Sequence, residues 1–392
     1  MHINHIHDFP SVGRIKIFGP SNVVGRVSLF FGVKVNPEAK KNNGCYIQFN
    51  FESNHPMKYS LFIGSVLFAV SATASAQVTL NANSWTPLTH PLTTTLVTWC
   101  ADVEKVTAAR VKCNMLPKPV VAAGQTFDAV KDGLADVSFI VHGFTPGRFP
   151  LAEITEFPFL GDSAELTSIA YQRIYERILA KADEHKGVMT LAVLTHGPGQ
   201  IFNTKRPILA VNDLQGLKMR LPGGMVNETS KAMGVTPILK PPAEIYEMLS
   251  SGLADGVFFP KEAVFTFKVT PLVKYATYVP GGLYNVSIAY VMNPAAWNKI
   301  SKADQSEIMK LSGEALSRRG AKAYDEGDVK GEAALREAKV QVNIANPEFI
   351  AGIKAKSGDL ERAWFERAKA RGIDGPAALA ALRAEIAAQS KK

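Results

Sequence analysis

The chain has 392 residues, 46% of them hydrophobic and 20% charged, with a formal net charge of +9. That is a globular composition with length for two or more domains, which excludes a disordered or fibrous chain. The positive charge is spread out, without Lys/Arg blocks or interleaved aromatics, so it favours anions mildly and speaks against nucleic-acid binding.

Residues 57–76 carry the first readable signal. Met57-Lys58-Tyr59 is a short basic start, Ser60 to Val70 an apolar core, and Ala74-Ser75-Ala76 a small-residue ending. This is the pattern of a secretory signal peptide, with cleavage expected between Ala76 and Gln77. The apolar core is shorter than the ~20 residues a membrane-spanning helix needs. Residues 1–56 read as an upstream extension, too short to bury a core of their own. His2, His5 and His7 lie there without ligand spacing, and Cys45 lies there too.

From Gln77 onward the pattern is βαβαβ. Val78–Ser84 reads as a strand, and Leu92, Leu96, Trp99, Cys100, Val103 and Val106 recur at helical spacing. A strand is expected at 110–116, a helix at about 125–132 stopped by Gly133, and a strand at 135–141. The order predicts a parallel sheet with right-handed crossovers. It recurs as a strand at 217–221, a helix at 225–233, a strand at 236–239, a helix at 242–251 and a strand at 255–259. The third strand of each set is introduced by the same tetrapeptide, Gly133-Leu134-Ala135-Asp136 and Gly252-Leu253-Ala254-Asp255. Two similar α/β domains follow, with a ligand cleft at the C-terminal ends of their sheets.

Between the sets, 167–182 reads as a helix and 188–195 as a strand. His196-Gly197-Pro198-Gly199-Gln200 breaks that strand and is a candidate hinge. The apolar strand at 286–292 crosses back. Ser301 and Asp304 resemble a capping box for one long helix running towards Lys330. A strand at 340–344 and two amphipathic helices close the chain. The expected division is lobe I at 77–196 plus 286–325 and lobe II at 197–285 plus 326–392.

Arg220 ends a short strand just before the Pro222-Gly223-Gly224 turn into a helix. That is the mouth of an α/β sheet, and a guanidinium fork there suits a carboxylate or phosphate; a surface ion pair is the plain alternative. Aromatic residues at strand ends and loops gather near the same cleft: Trp85, Phe144, Phe258, Phe259 and Tyr284. His90, His142 and Tyr246 are further candidates for ligand contact. Enzyme signatures such as Gly-x-Ser-x-Gly, His-Glu-x-x-His and a phosphate loop are missing, and the four histidines after residue 77 have no metal-ligand spacing. The residues therefore call for no catalytic group, cofactor or metal. Glu244 and Glu247 read as a solvated helix face. Cys100 and Cys113 point into the same helix–sheet layer, which leaves a disulfide and two buried thiols both open.

Several stretches resemble, in this order, the periplasmic solute-binding proteins of TRAP (tripartite ATP-independent periplasmic) transporters of the dicarboxylate-binding type. They are Val103–Thr107 with Arg110-Val111, Pro146-Gly147-Arg148-Phe149-Pro150-Leu151, Phe157-Pro158-Phe159-Leu160, Asn203–Ile208 and Leu214–Arg220. Glu244-Ile245-Tyr246, Gly252–Gly256 and Met292-Asn293 with Trp297 complete the set. The resemblance covers essentially all of residues 77–392. It implies a two-lobed periplasmic binding protein fold with hinge crossover strands and a long helix behind. It also implies capture of an organic acid for small and large membrane permease subunits, ion-gradient-driven uptake and no catalysis.

The family arginine that clamps the substrate carboxylate maps onto Arg220. Where the family's sialic-acid binders carry a second arginine, Gly199 stands here; where they carry asparagine, Phe259 stands. That departure points to a smaller or more apolar, even aromatic, carboxylate. A binding protein for an ATP-driven importer shares the two-lobed plan, and a secreted α/β enzyme is a more distant reading. A monomer is the default expectation, with a dimer compatible.

Overall fold

The computed structural model describes residues 77–390; the signal-peptide reading at 57–76 and the extension at 1–56 lie outside the described residues. Two mixed sheets organise the chain. The first has the order β2-β1-β3-β10-β4, and the second β11-β9-β5-β8-β6-β7, with β11 (Gln341–Ile344) at its edge. In the first, β1 (Val78–Ala82), β2 (Val111–Met115) and β3 (Val137–Val141) run parallel, linked by α1 (Pro91–Val106) and α2 (Thr126–Lys131). In the second, β6 (Lys218–Leu221), β7 (Thr236–Leu239) and β8 (Gly256–Phe259) repeat that order around α4 (Gly224–Ala232) and α5 (Ile245–Ser250). This is the two-lobed α/β architecture expected from the repeated pattern.

The shared tetrapeptide does the same job in both lobes. Gly133 and Gly252 both take φ near +80° (80° and 75°), a conformation that suits glycine alone, and each ends the preceding helical segment. Asp136 then accepts a hydrogen bond from the Asn81 N–H at 2.7 Å, and Asp255 accepts one from the Lys218 N–H at 2.9 Å. Each aspartate thereby ties the start of its third strand to the first strand.

Two strand-to-strand connections carry the chain from one sheet to the other and back. It leaves β4 (Met189–Thr195), runs through 196–199 and enters β5 (Gln200–Asn203). It returns from β9 (Tyr275–Tyr278) into β10 (Ser287–Met292). Both β5 and β10 pair antiparallel with the third strand of their lobe. The crossovers are bonded to each other: the Gly199 N–H donates to the Tyr284 carbonyl (2.8 Å), and the Leu283 N–H returns the bond to Gly199 (2.9 Å). The sequence pattern did not mark β5 or β9.

The single helix expected from Ser301 is two. Ser301 caps α8 (Lys302–Lys310), accepting from the Asp304 N–H at 3.1 Å. The chain then turns at Gly313 (φ 58°), whose N–H bonds the Leu191 carbonyl at 2.7 Å, and α9 (Glu314–Glu337) starts afresh. α9 lies against α1, α3 (Ala164–Arg177) and β4 of the first lobe and against α6 (Lys261–Thr266) of the second. Gly331 lets it approach the second lobe, since a Cβ there would collide with the Lys261 carbonyl.

The C-terminal residues divide otherwise than expected. α10 (Pro347–Ala370) starts on the second lobe, where Phe349 and Ile353 share a core with Leu214. It ends on the first lobe, where the Trp364 indole N–H donates to the Pro150 carbonyl at 2.7 Å. α11 (Gly375–Gln389) packs on α3, and its Leu379, Leu382 and Ile386 share a core with Phe127, Tyr171 and Ile174. Residues 364–389 thus pack against elements of the first lobe.

Candidate functional site

β6 alternates by period two, so Met219 and Leu221 face one layer and Arg220 the other. Arg220 is only 2% exposed. Its Nε donates to the Lys240 carbonyl at 2.8 Å, and its guanidinium carbon lies 5.0 Å from the centre of the Phe259 ring. Among the described residues no carboxylate comes within 4.0 Å of it. Burial lowers its pKa to about 10, with the Tyr284 hydroxyl opposing, so it remains a cation at neutral pH. A buried cation without a counter-ion is costly, and here its surroundings are mostly apolar, with neutral polar groups among them.

Those surroundings form a cavity between the two lobes. The first lobe contributes Trp85, His90, Val141 and Phe144, and the second Arg220, Pro222, Phe259 and Phe267. The crossovers add His196 and Tyr284, and α9 adds Tyr324. Trp85 stands on Phe139 (5.2 Å) and Phe144 (5.6 Å), and its indole N–H is taken by the Phe139 carbonyl at 3.3 Å. It therefore offers its carbon face to the cavity.

The imidazoles of the cavity are neutral. Nδ1 of His90 accepts the Leu92 N–H (3.2 Å) at the start of α1, and burial, with His196 nearby, lowers its pKa to about 3. Nε2 of His196 accepts the Val286 N–H at 3.3 Å, which leaves its Nδ1–H to donate to the Gly197 carbonyl. Burial lowers its pKa to about 4.

The turn after Arg220 touches the first lobe. The Gly223 N–H donates to the Gly143 carbonyl at 3.1 Å, and the Met225 N–H, in the first turn of α4, donates to Glu156 Oε2 at 2.8 Å. Glu156 is buried, and desolvation raises its pKa well above the carboxylate range.

Of the residues singled out from sequence, Arg220, Phe259, Phe144, His90, Trp85 and Tyr284 converge on this cavity. Phe258 does not line it. Neighbouring strand residues point to opposite faces, so with Phe259 in the cavity Phe258 is buried behind it against Tyr284. Tyr246 is 48% exposed, because α5 buries Ile245, Met248 and Leu249 and position 246 falls off that face. His142 is buried elsewhere, hydrogen-bonded to Ser287 (2.8 Å) and His185 (2.7 Å). Gly199 has no space for a side chain, since a Cβ there would collide with the Tyr284 ring. Cys100 and Cys113 are joined as a disulfide, with Cα atoms 5.6 Å apart. Among the described residues no group of three or more His, Cys, Asp or Glu side chains could hold a metal.

Sequence reasoning missed His196, Glu262, Phe267 and Tyr324. Tyr324 was within reach: it lies on the buried stripe of α9 with Leu316, Gly320 and Ala321. The others stand at turns and helix starts, where no period reports which way a side chain faces.

Two α/β lobes joined by paired crossovers around a cavity with one buried cation define a solute-binding protein. The chain belongs to family 7 of the bacterial extracellular solute-binding proteins (DctP), whose family model matches residues 82–367. Among solved structures it is similar to a TRAP periplasmic solute-binding protein from Bordetella bronchiseptica with bound (R)- and (S)-mandelate. That match has 43% identity and a TM-score of 0.78, covering 80% of this chain and 99% of the other. A TRAP solute-binding protein from Rhodoferax ferrireducens, in complex with copurified benzoate, matches at 29% identity and TM-score 0.74 over 80% of this chain and 99% of that one. A marine metagenome TRAP protein, in complex with 3-hydroxybenzoate, matches at 30% and 0.74 over 79% and 98%. Outer membrane transporter protein TsaT of Comamonas testosteroni is 30% identical over 312 residues, 79% of this chain and 92% of its own length. The chain is thus of the TRAP type and not a component of an ATP-driven importer, and its family is one of binding proteins rather than enzymes.

Proposed function

We propose that this protein captures an aromatic monocarboxylate in the periplasm and delivers it to the small and large permease subunits of a TRAP transporter. The observation that carries this reading is Arg220. It is buried, it lacks a carboxylate partner among the described residues, and it is set against Phe259 in a cavity walled by Trp85, Phe144, Phe267 and Tyr284. A ligand carboxylate supplies the missing counter-ion through two parallel hydrogen bonds from the guanidinium. A ring between Trp85, Phe144 and Phe259 is stabilised by roughly 25 cal/mol per Å² of apolar surface buried. Gly199 and Phe259 leave no second cation or amide for a polyhydroxylated acid. Structural relatives with bound mandelate, benzoate and 3-hydroxybenzoate support the same class.

Closure of the lobes removes water from the ion pair and strengthens it. The contacts of Gly223 with Gly143 and of Met225 with Glu156 hold the lobes together beside Arg220. The chain is read as secreted through residues 57–76 and as acting as a monomer, without catalysis.

The test is a thermal-shift screen of the protein beside Arg220→Ala against dicarboxylates, keto acids, aromatic acids and sugar acids. An aromatic acid at 100 times its wild-type Kd should add about 2.7 kcal/mol to the stability of the wild type and less than about 1 kcal/mol to the variant. Preference for a sugar acid, or a shift undiminished in Arg220→Ala, would overturn the reading.

A further inference from the structure

The cavity has a second polar corner that the arginine does not use. Glu262, in the first turn of α6, is 1% exposed and lines the same space. Its stem is wedged under α9, where Gly327 leaves room that a Cβ would fill. Its backbone N–H donates to Asp328 at 2.7 Å. Oε1 accepts the Thr266 hydroxyl, and Oε2, fully buried, has no hydrogen-bond partner among the described residues. Burial raises its pKa to about 8, so at neutral pH it is an uncharged acid that can donate or accept without repelling an organic anion. Its cavity neighbours His90 and Tyr324 are neutral as well.

Glu262 is not the counter-ion of Arg220, since no such pair lies within 4.0 Å among the described residues. Among the described residues, the wall of one cavity thus includes a cation without an anion and a carboxyl group with one oxygen unbonded. Unpartnered buried polar groups are uncommon in folded proteins, and these two belong to residues that line one cavity. The known relatives do not decide what that ligand is, because one holds benzoate and others hold hydroxylated acids.

We propose that Glu262 is a specificity-determining residue and that the ligand is a hydroxylated aromatic acid, its carboxylate on Arg220 and its hydroxyl on Glu262. The proposal rests on the reading of Arg220 as the carboxylate clamp. A site built to bond a hydroxyl rejects the analogue that lacks it, because the site's own group is then left unpaired.

Calorimetric titration with matched pairs tests this: benzoate against 3-hydroxybenzoate, and phenylacetate against mandelate, on wild type, Glu262→Gln and Glu262→Leu. At least one hydroxylated acid should bind the wild type about tenfold tighter than its partner, the worth of one good hydrogen bond. Glu262→Gln should keep most of that ratio. Glu262→Leu should bring it close to one while holding the affinity for the unsubstituted acid within about threefold, as apolar contacts are unchanged. Glu262→Ala serves the same purpose if the leucine variant does not fold. A ratio that survives in Glu262→Leu, or that the wild type never shows, overturns the proposal and leaves the arginine clamp standing. Failure of the clamp looks different: no acid binds, or affinity is indifferent to Arg220→Ala, and both readings then fall.

Discussion

The two lobes are built on one plan and differ at the position that matters. The bonds of Asp136 with Asn81 and of Asp255 with Lys218 put Asn81 and Lys218 in register, so two residues on Asn83 stands where Arg220 does. Both are buried. Asn83 is used up within its own lobe: its amide donates to Ser138 at 3.3 Å and accepts from the Val120 N–H at 3.0 Å. Among the described residues Arg220 spends only Nε on the protein and presents the rest of its fork beside Phe259. On the proposed reading the same strand end is structural in one lobe and ligand-directed in the other. What separates them is whether the lobe satisfies the polar group itself.

The sharpest break of this comparison is a pair of alanine variants. Arg220→Ala should lower affinity for the acid at least ~30-fold, the cost of removing one partner from a buried charge pair being about 2–5 kcal/mol. Asn83→Ala should leave that affinity within a few-fold and instead lower stability by about 1–3 kcal/mol through unpaired buried groups. Titration calorimetry and urea unfolding read the two, and equal binding losses would erase the distinction.

The disulfide exists only in the first lobe, where it links α1 to β2. Replacing Cys100 and Cys113 with serine should cost about 3 kcal/mol. Hydrogen exchange should report the loss of protection in the first sheet before the second.

The molecule buries titratable groups of both kinds. In the first lobe, His185 has its pKa lowered from 6.5 to about 4 by burial. It contributes stability that is present above pH 6.5 and lost as pH falls through about 4. Against the second lobe, burial raises Glu262 from 4.5 to about 8 and Asp328 from 3.8 to about 7. Their contribution is present at low pH and lost as pH rises through those values. Melting temperature against pH should therefore fall on both sides. Glu262→Gln should flatten the alkaline limb and His185→Phe the acid limb, and the reverse assignment would contradict the burial argument.

The smallest effect tests the likeness. Asp136→Ala and Asp255→Ala each remove a carboxylate bonded to a first-strand N–H, and each should cost about 1 kcal/mol. A neutral change at one site only would show that the tetrapeptide plays different parts in the two lobes.

Much of this was legible because it rests on local rules. Period-two and helical spacing mark most strands and helices, the glycine at φ near +80° marks each helix stop, and the repeated Gly-Leu-Ala-Asp marks the two lobes. Arg220 was legible from its place at a strand end before a glycine turn. Phe258 misled because the strand's alternation lets only one of two adjacent phenylalanines face the cavity. Tyr246 misled because a single turn of helix does not state which face is buried.

By itself the sequence determined most of the secondary elements, their order and the presence of one arginine fit for an anion, since these depend on neighbours a few residues apart. Only the tertiary structure decided that Arg220 has no carboxylate partner among the described residues, that Glu262 and Tyr324 reach the same cavity, and that α11 belongs to the first lobe. Those facts depend on groups about 40 to 200 residues apart, and no local periodicity records the desolvation and unmet hydrogen bonds that arise when such groups meet.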